Sequence, residues 1–207
     1  MNIVLKIIIV GAIGYLLGSV NTSLIVGKFY GVDIRKHGSG NAGATNALRT
    51  LGKKAAIMVA LGDVLKGIIA CLIGLFLVGE IEGAGKVGVM VGGVCAVIGH
   101  NWPLYFGFKG GKGIFTSFAT VMMMDWKIGL ILLGVFIILV AATKYVSLGS
   151  ISAAALFPIM SLIPPFKKTT VFFIFALVIS LLAIFRHRSN LARLINGTEN
   201  KIFKSAK

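Results

Sequence analysis

Between His37 and Arg49 the sequence reads HGSGNAGATNALR, with Gly38, Gly40 and Gly43 at the G-x-G-x-x-G spacing that seats a pyrophosphate. Asp63 stands twenty residues past the last glycine, where a dinucleotide site places its ribose-binding acid. The surroundings deny that chemistry. GVDIRKH, before the first glycine, is too polar for a central parallel strand, and Asp63 sits inside the apolar run IMVALGDVLKGIIACLIG. The local physics survives: glycines let successive N–H groups turn toward one point and form an anion-binding nest. Ala42–Leu51 has helical composition with Gly52 as its stop, so a helix N-terminus adds its dipole there, and Thr45 and Arg49 share one face. Ser39, Asn41, Thr45 and Asn46 supply short hydrogen-bonding side chains.

The second stretch, GHNWPLYFGFKGGKG over 99–113, invites comparison with a P-loop. Phe106 occupies the first glycine position, and Gly113 replaces the hydroxyl that would hold magnesium, which excludes a nucleotide triphosphatase. Lys109 and Lys112 remain as point charges among Gly110, Gly111 and Gly113, whose amides can approach an oxyanion; Lys109 is the better candidate for a snorkelling interfacial lysine. Pro103 should end the helix that carries His100. A third set is split between KYVSLGS, ending at Ser150, and RHRSN, over 186–190. His187, between Arg186 and Arg188, reads as a neutral hydrogen-bond partner more than a general base, because neighbouring cations disfavour its charged form.

The elements that hold these clusters are apolar. Hydrophobic residues make up 57% of the 207 and charged residues 13%, and the mean hydropathy is +0.96; a soluble domain does not have this composition. Apolar stretches at Ile3–Val26, Ala55–Val78, Gly85–Phe108, Ile114–Met124, Ile128–Ala142, Tyr145–Ile163 and Thr169–Phe185 predict an all-α integral membrane protein of seven transmembrane helices. A signal-peptide reading of the first lacks a small-x-small cleavage site. With the N-terminus outside, fifteen basic residues, Lys204 and Lys207 among them, fall inside and five outside, the asymmetry of the positive-inside rule. Fusing the fourth and fifth stretches would place the basic tail opposite the Arg35–Lys54 loop. The C-terminus and all four polar clusters then lie on the cytoplasmic face. The net charge of +15 also suits an anionic bilayer surface.

Residues 1–207 read as a single transmembrane domain without internal repeats. Cys71 and Cys95 are placed within spans as small packing residues. Three scattered histidines and six acids make a metal cluster improbable, and no cofactor or nucleic-acid signal is present. Asp63 and Lys66, three apart within a span, should form a neutralising pair.

GSGNAGATN at 38–46, GH..P....FKGGKG at 99–113, YVSLGS at 145–150 and RHR.N..RL..G.E at 186–199 together closely resemble the bacterial membrane acyl-phosphate:glycerol-3-phosphate acyltransferases, the PlsY family. The similarity covers essentially the whole chain. It implies a multi-pass protein of the bacterial cytoplasmic membrane that transfers a fatty acyl group from acyl phosphate to the 1-hydroxyl of glycerol 3-phosphate. The products would be lysophosphatidic acid and inorganic phosphate, made for phospholipid synthesis. It also raises the question whether a soluble acyl-phosphate-producing enzyme delivers the donor by contact.

By position in the matching motifs, Ser39, Gly40, Asn41, Ala42, Gly43 and Thr45 are assigned to the donor phosphate, and Arg49, Lys112, Ser150 and Asn190 to glycerol 3-phosphate. His100 and His187 shape the pocket, with Asn46, Lys109, Gly110, Gly111, Gly113 and Arg186 completing the expected site. Ser39, Arg49, Lys112, His187 and Asn190 are the expected catalytic set. Many glycerolipid acyltransferases pair a histidine with an acid five residues on; here those positions hold Ala42, Tyr105 and Ala192, so no acid is expected beside a histidine. Positioning, with the donor's own phosphate taking the hydroxyl proton, is the mechanism this favours. The rival is a phosphate or organophosphate transporter, which usually shows interrupted helices and repeats.

Overall fold

A computed structural model describes residues 1–202, so Lys204 and Lys207, counted above among the inner charges, lie outside the described residues. Ten α-helices account for the fold: α1 (Ile3–Ser19), α2 (Thr22–Phe29), α3 (Ala44–Thr50), α4 (Lys53–Leu77), α5 (Val87–Asn101), α6 (Ile114–Met124), α7 (Trp126–Thr143), α8 (Val146–Met160), α9 (Thr170–Arg186) and α10 (Arg188–Ile195). Ile3–Phe29, Lys53–Leu77, Val87–Phe106 and Trp126–Thr143 are long and apolar enough to cross a membrane. Thr170–Arg186 with Arg188–Ile195 makes a fifth if that pair, bent by 59°, counts as one span; Ile114–Met124 and Val146–Met160 are shorter apolar helices.

The first apolar stretch is not the single helix expected over Ile3–Val26. It breaks at Val20, where the buried Asn21 caps α2 by accepting from Leu24 N at 3.1 Å. A helix end inside a bundle leaves carbonyls that need donors. Lys66 supplies them, donating to Gly18 O at 3.1 Å and Val20 O at 3.0 Å. The third stretch ends as expected, with α5 stopping at Asn101 two residues before Pro103.

Glycine lets the long helices touch. A Cβ on Gly18 of α1 would sit 2.1 Å from Ala96 O of α5, and one on Gly74 of α4 would sit 2.0 Å from Gly88 O. Small residues at such crossings let backbones approach closely, which is how helices gain packing energy where the surroundings are as apolar as they are. α1, α4 and α5 form one three-helix unit on this principle, and α5 through α9 close into a ring in which α9 returns to α5. The ring's core includes Val97, Val121, Ile128, Phe157, Phe172 and Phe175. The three phenylalanines meet edge to face, with centroids 5.8 to 5.9 Å apart.

Candidate active site

The loop that leads into α3 is shaped by Asn46. Its Oδ1 accepts from Ser39 N at 2.8 Å, and its Nδ2 donates to Ile34 O and His37 O, both at 3.0 Å. Gly38 has φ +59° and also presses against Asn46, since a Cβ there would lie 2.3 Å from Oδ1. Asn46 is therefore a buried staple that holds the loop's curve. α3 starts at Ala44, two residues later than composition suggested, because Gly43 is in extended backbone as its N-cap. Asp33 and Arg35 pair through two 3.0 Å hydrogen bonds, and the Arg35 guanidinium reaches Phe106 O at 3.4 Å, tying this loop to the next.

The 107–113 loop folds back on α5 through Gly111 N donating to His100 O at 3.2 Å. Arg186 clamps it from α9, giving bonds of 3.0 and 2.8 Å to Gly111 O and 3.1 Å to Gly110 O, while its guanidinium lies 5.3 Å from the Trp102 ring. Arg186 thus acts through the loop, and it carries Lys112 into the centre of the protein.

One cavity of about 580 Å³ receives all four polar clusters. Ser39, Asn41, Gly43, Thr45, Asn46 and Arg49 line it from the first, His100, Lys112 and Gly113 from the second, Ser150 from the third, and His187 and Asn190 from the fourth. Below this polar mouth the walls turn apolar. α8 contributes Ser150, Ala153, Ala154 and Phe157 at i, i+3, i+4, i+7, and α7 contributes Gly129, Leu132, Leu133 and Phe136 in the same rhythm. Of the remaining expected residues, Gly40, Ala42, Gly110, Gly111 and Arg186 support the lining without forming it, and Lys109 is exposed and outside it. The Ser150 hydroxyl donates to Val146 O at 2.9 Å.

Sequence reasoning left out Glu199. Its carboxylate accepts from Asn190 Nδ2 at 2.6 Å, Ser147 Oγ at 2.9 Å and Arg193 Nε at 2.8 Å, and its side chain is 5% exposed. Burial pushes its carboxyl up, but the Asn190, Arg193 and Ser147 bonds outweigh that and hold it below the ordinary 4.5. The other face of Asn190 meets Lys112, whose Nζ donates to Asn190 Oδ1. The segment that carries Glu199 is strapped across the mouth by Arg49, which donates to Asn200 O at 3.1 Å and Lys201 O at 3.3 Å, and by Ile202 N donating to Lys144 O at 2.9 Å. The signal was the acid in the fourth motif; what hid its role is that its partners Ser147 and Asn190 lie on different helices.

Burial sets the electrostatics of the mouth. Lys112 is lowered from 10.5 to about 8 by desolvation, which the cations Arg193, Arg186 and Arg49 reinforce and Glu199 opposes. Arg49 is lowered too, by desolvation first. His187 is lowered to about 4 by desolvation and then by Lys112, so its ring is neutral near pH 7. Its Nδ1 donates to Ala183 O at 2.8 Å, leaving Nε2 as an acceptor. That is the neutral partner expected from its two flanking arginines.

The expectation of no acid beside a histidine fails at His100. Asp63 Oδ1 lies 3.4 Å from His100 Nδ1, a carboxylate brought from α4 to a histidine of α5. The expected Asp63–Lys66 pair forms at 2.9 Å, with His100 as its third member.

The family described as glycerol-3-phosphate acyltransferase matches residues 8–197. The chain belongs to the glycerol-3-phosphate acyltransferase family. A relative of that name from Thermoanaerobacter sp. (strain X514) is 47% identical over 196 residues, spanning 94% of this chain and 95% of its own. One from Clostridioides difficile (strain 630) is 49% identical over 200 residues, with the same coverage. Crystal structures of PlsY (YgiH), an integral membrane glycerol 3-phosphate acyltransferase, superpose with a TM-score of 0.87 in the glycerol 3-phosphate form and 0.83 in the lysophosphatidic acid form. Identity is 35% in both, and coverage of each chain is 96% and 94% respectively. This acyltransferase is thus an integral membrane enzyme of the PlsY type, and the transporter reading gives way to it.

Proposed function

We propose that the enzyme transfers a fatty acyl group from acyl phosphate to the 1-hydroxyl of sn-glycerol 3-phosphate, releasing lysophosphatidic acid and inorganic phosphate. The observation that carries this reading is one continuous cavity with two kinds of polar wall at its mouth and an apolar chamber beneath. Arg49 and Lys112 suit the acceptor's phosphate; Ser39, Asn41, Thr45 and the amides around Gly43 suit the donor's. The alkyl tail occupies the stripe from Ala153 to Phe157. In this reading the chain crosses the bacterial cytoplasmic membrane seven times, N-terminus outside, with its mouth on the cytoplasmic face, where a soluble enzyme that makes acyl phosphate would supply the donor.

Chemistry then needs little from the protein beyond placement. The glycerol hydroxyl oxygen attacks the acyl carbon, the bond from that carbon to the phosphate oxygen breaks, and the departing phosphate takes the hydroxyl proton. His187, neutral, shapes the pocket and leaves the attacking hydroxyl's one proton to the departing phosphate. Purified protein incubated with glycerol 3-phosphate and palmitoyl phosphate should yield lysophosphatidic acid and phosphate in equal amounts. Turnover with acyl-CoA and none with acyl phosphate would overturn the donor assignment.

A further inference from the structure

Of the buried Asp63–Lys66–His100 cluster only His100 belongs to a motif used above, yet Asp63 lines the cavity with it. Lys66 Nζ lies 2.9 Å from Asp63 Oδ1 and 2.9 Å from His100 Nδ1, while holding Gly18 O and Val20 O. An ammonium can only donate. Nδ1 faces both that ammonium at 2.9 Å and Asp63 Oδ1 at 3.4 Å, and only the ammonium stands in hydrogen-bonding geometry, so Nδ1 is the accepting nitrogen and the ring proton resides on Nε2. Asp63 is itself fixed, since Thr116 Oγ1 on α6 donates to its backbone carbonyl at 3.1 Å.

The opposite edge of the ring meets the two phosphate-facing loops where they touch. A Cβ built on Gly111 would lie 2.3 Å from His100 Nε2 and 2.3 Å from Ala42 O, so the ring edge and the first loop converge on one point of the second. Gly111 precedes Lys112, and Ala42 lies between Asn41 and Gly43. We infer that Asp63 and Lys66 are positioning residues: they fix His100 as an Nε2–H donor at the seam between the two loops, and so set the spacing of the two phosphate sites. A bare electrostatic pair would need no histidine, and a packing histidine would need no ammonium on its inner nitrogen. The role rests on the proposed reaction for its meaning, but the ring's proton does not.

Two measurements test it. The chain has three histidines, so an ¹⁵N-histidine spectrum of the full-length enzyme in micelles, with His100 assigned by its loss in His100→Gln, reads the tautomer directly. A proton on Nε2 is expected; a proton on Nδ1 overturns the inference however the variants behave. The second is the double replacement D63L/K66M, which removes both charges together and spares the bundle an unpaired buried ion. It also frees Gly18 O and Val20 O, so its thermal midpoint should fall; assayed below that midpoint, its kcat/KM should fall about tenfold or more, as misplacement of a site does. The KM values for both substrates should rise together. His100→Gln, which returns an amide donor near the Nε2 position, should be insensitive to the same double replacement. A folded D63L/K66M enzyme with wild-type kcat/KM would show a purely structural cluster. Wild-type turnover with acyl phosphate separately decides the proposed function.

Discussion

Lys112 makes activity and stability move in opposite directions with pH. Its displacement from 10.5 to about 8 corresponds to about 3 kcal/mol at 1.36 kcal/mol per pH unit. The folded protein therefore binds fewer protons than the unfolded chain between pH 8 and 10.5. Because stability rises with pH wherever the unfolded state holds more protons, the Lys112 contribution is unfavourable and constant below pH 8 and is relieved as pH climbs to 10.5. Phosphate binding does the reverse: it needs the ammonium, so kcat/KM for glycerol 3-phosphate should fall up to tenfold per pH unit above about 8. Bound phosphate favours the charged amine, so the same limb in kcat should sit at higher pH. Initial rates from pH 6 to 10, with thermal midpoints in the same buffers, measure both. Lys112→Arg keeps a charge that does not titrate in this range, and should give a lower but flat profile. A basic limb that survives in Lys112→Arg, or activity and midpoint falling together, refutes the assignment.

Four further outcomes follow from named contacts. Arg49→Ala and Lys112→Ala should each lower kcat/KM by 10² or more, about 2.7 kcal/mol, in steady-state assays of folded protein. Glu199→Gln places an amide NH₂ among donors from Asn190, Ser147 and Arg193 and should cost about 2 kcal/mol in thermal or denaturant unfolding. His187→Gln keeps an acceptor and should retain a pH profile without a new acidic or basic limb, since the ring is neutral above pH 5; loss of a limb would restore it as a base. Gly18→Val drives a methyl into Ala96 O and should abolish the monodisperse peak in size-exclusion chromatography.

The helix positions were legible because an apolar run bounded by glycine, proline or charge has few alternatives to a helix: α6 falls on the expected Ile114–Met124, and α7, α8 and α9 within two residues of their expected starts. The break at Val20 was hidden, since apolarity continues to Val26 and only the buried Asn21 and the remote Lys66 end the helix there. In the site, residue types that bind phosphate could be read from glycine, lysine and hydroxyl patterning. The division of labour could not. Asn46 and Arg186 read as ligands in sequence, and their hydrogen bonds to the loop carbonyls were not legible there, because which carbonyl a donor reaches is a tertiary fact. The Asp63–His100 contact was invisible for the same reason, its members being 37 positions apart on two helices.

The charges at the mouth argue for which phosphate goes where. Arg193 is paired with Glu199 at 2.8 Å, which leaves Arg49, Lys53 and Lys112 as the cavity-lining cations without an ion pair among the described residues. A phosphomonoester carries about −1.5 to −2 at neutral pH, so under the proposed assignment glycerol 3-phosphate offsets Arg49 and Lys112. The loop over residues 38–46 holds no cation and offers neutral donors. In the proposed reading, a leaving phosphate bound there would be steadied by hydrogen bonds without being held by a full opposite charge, so it could depart after transfer while the acceptor's phosphate stays as the anchor of the product. The acceptor must be gripped before reaction and the leaving group released after it. A cationic subsite beside a neutral one supplies that difference, and exchanging the two assignments would leave the cations holding the group that has to go.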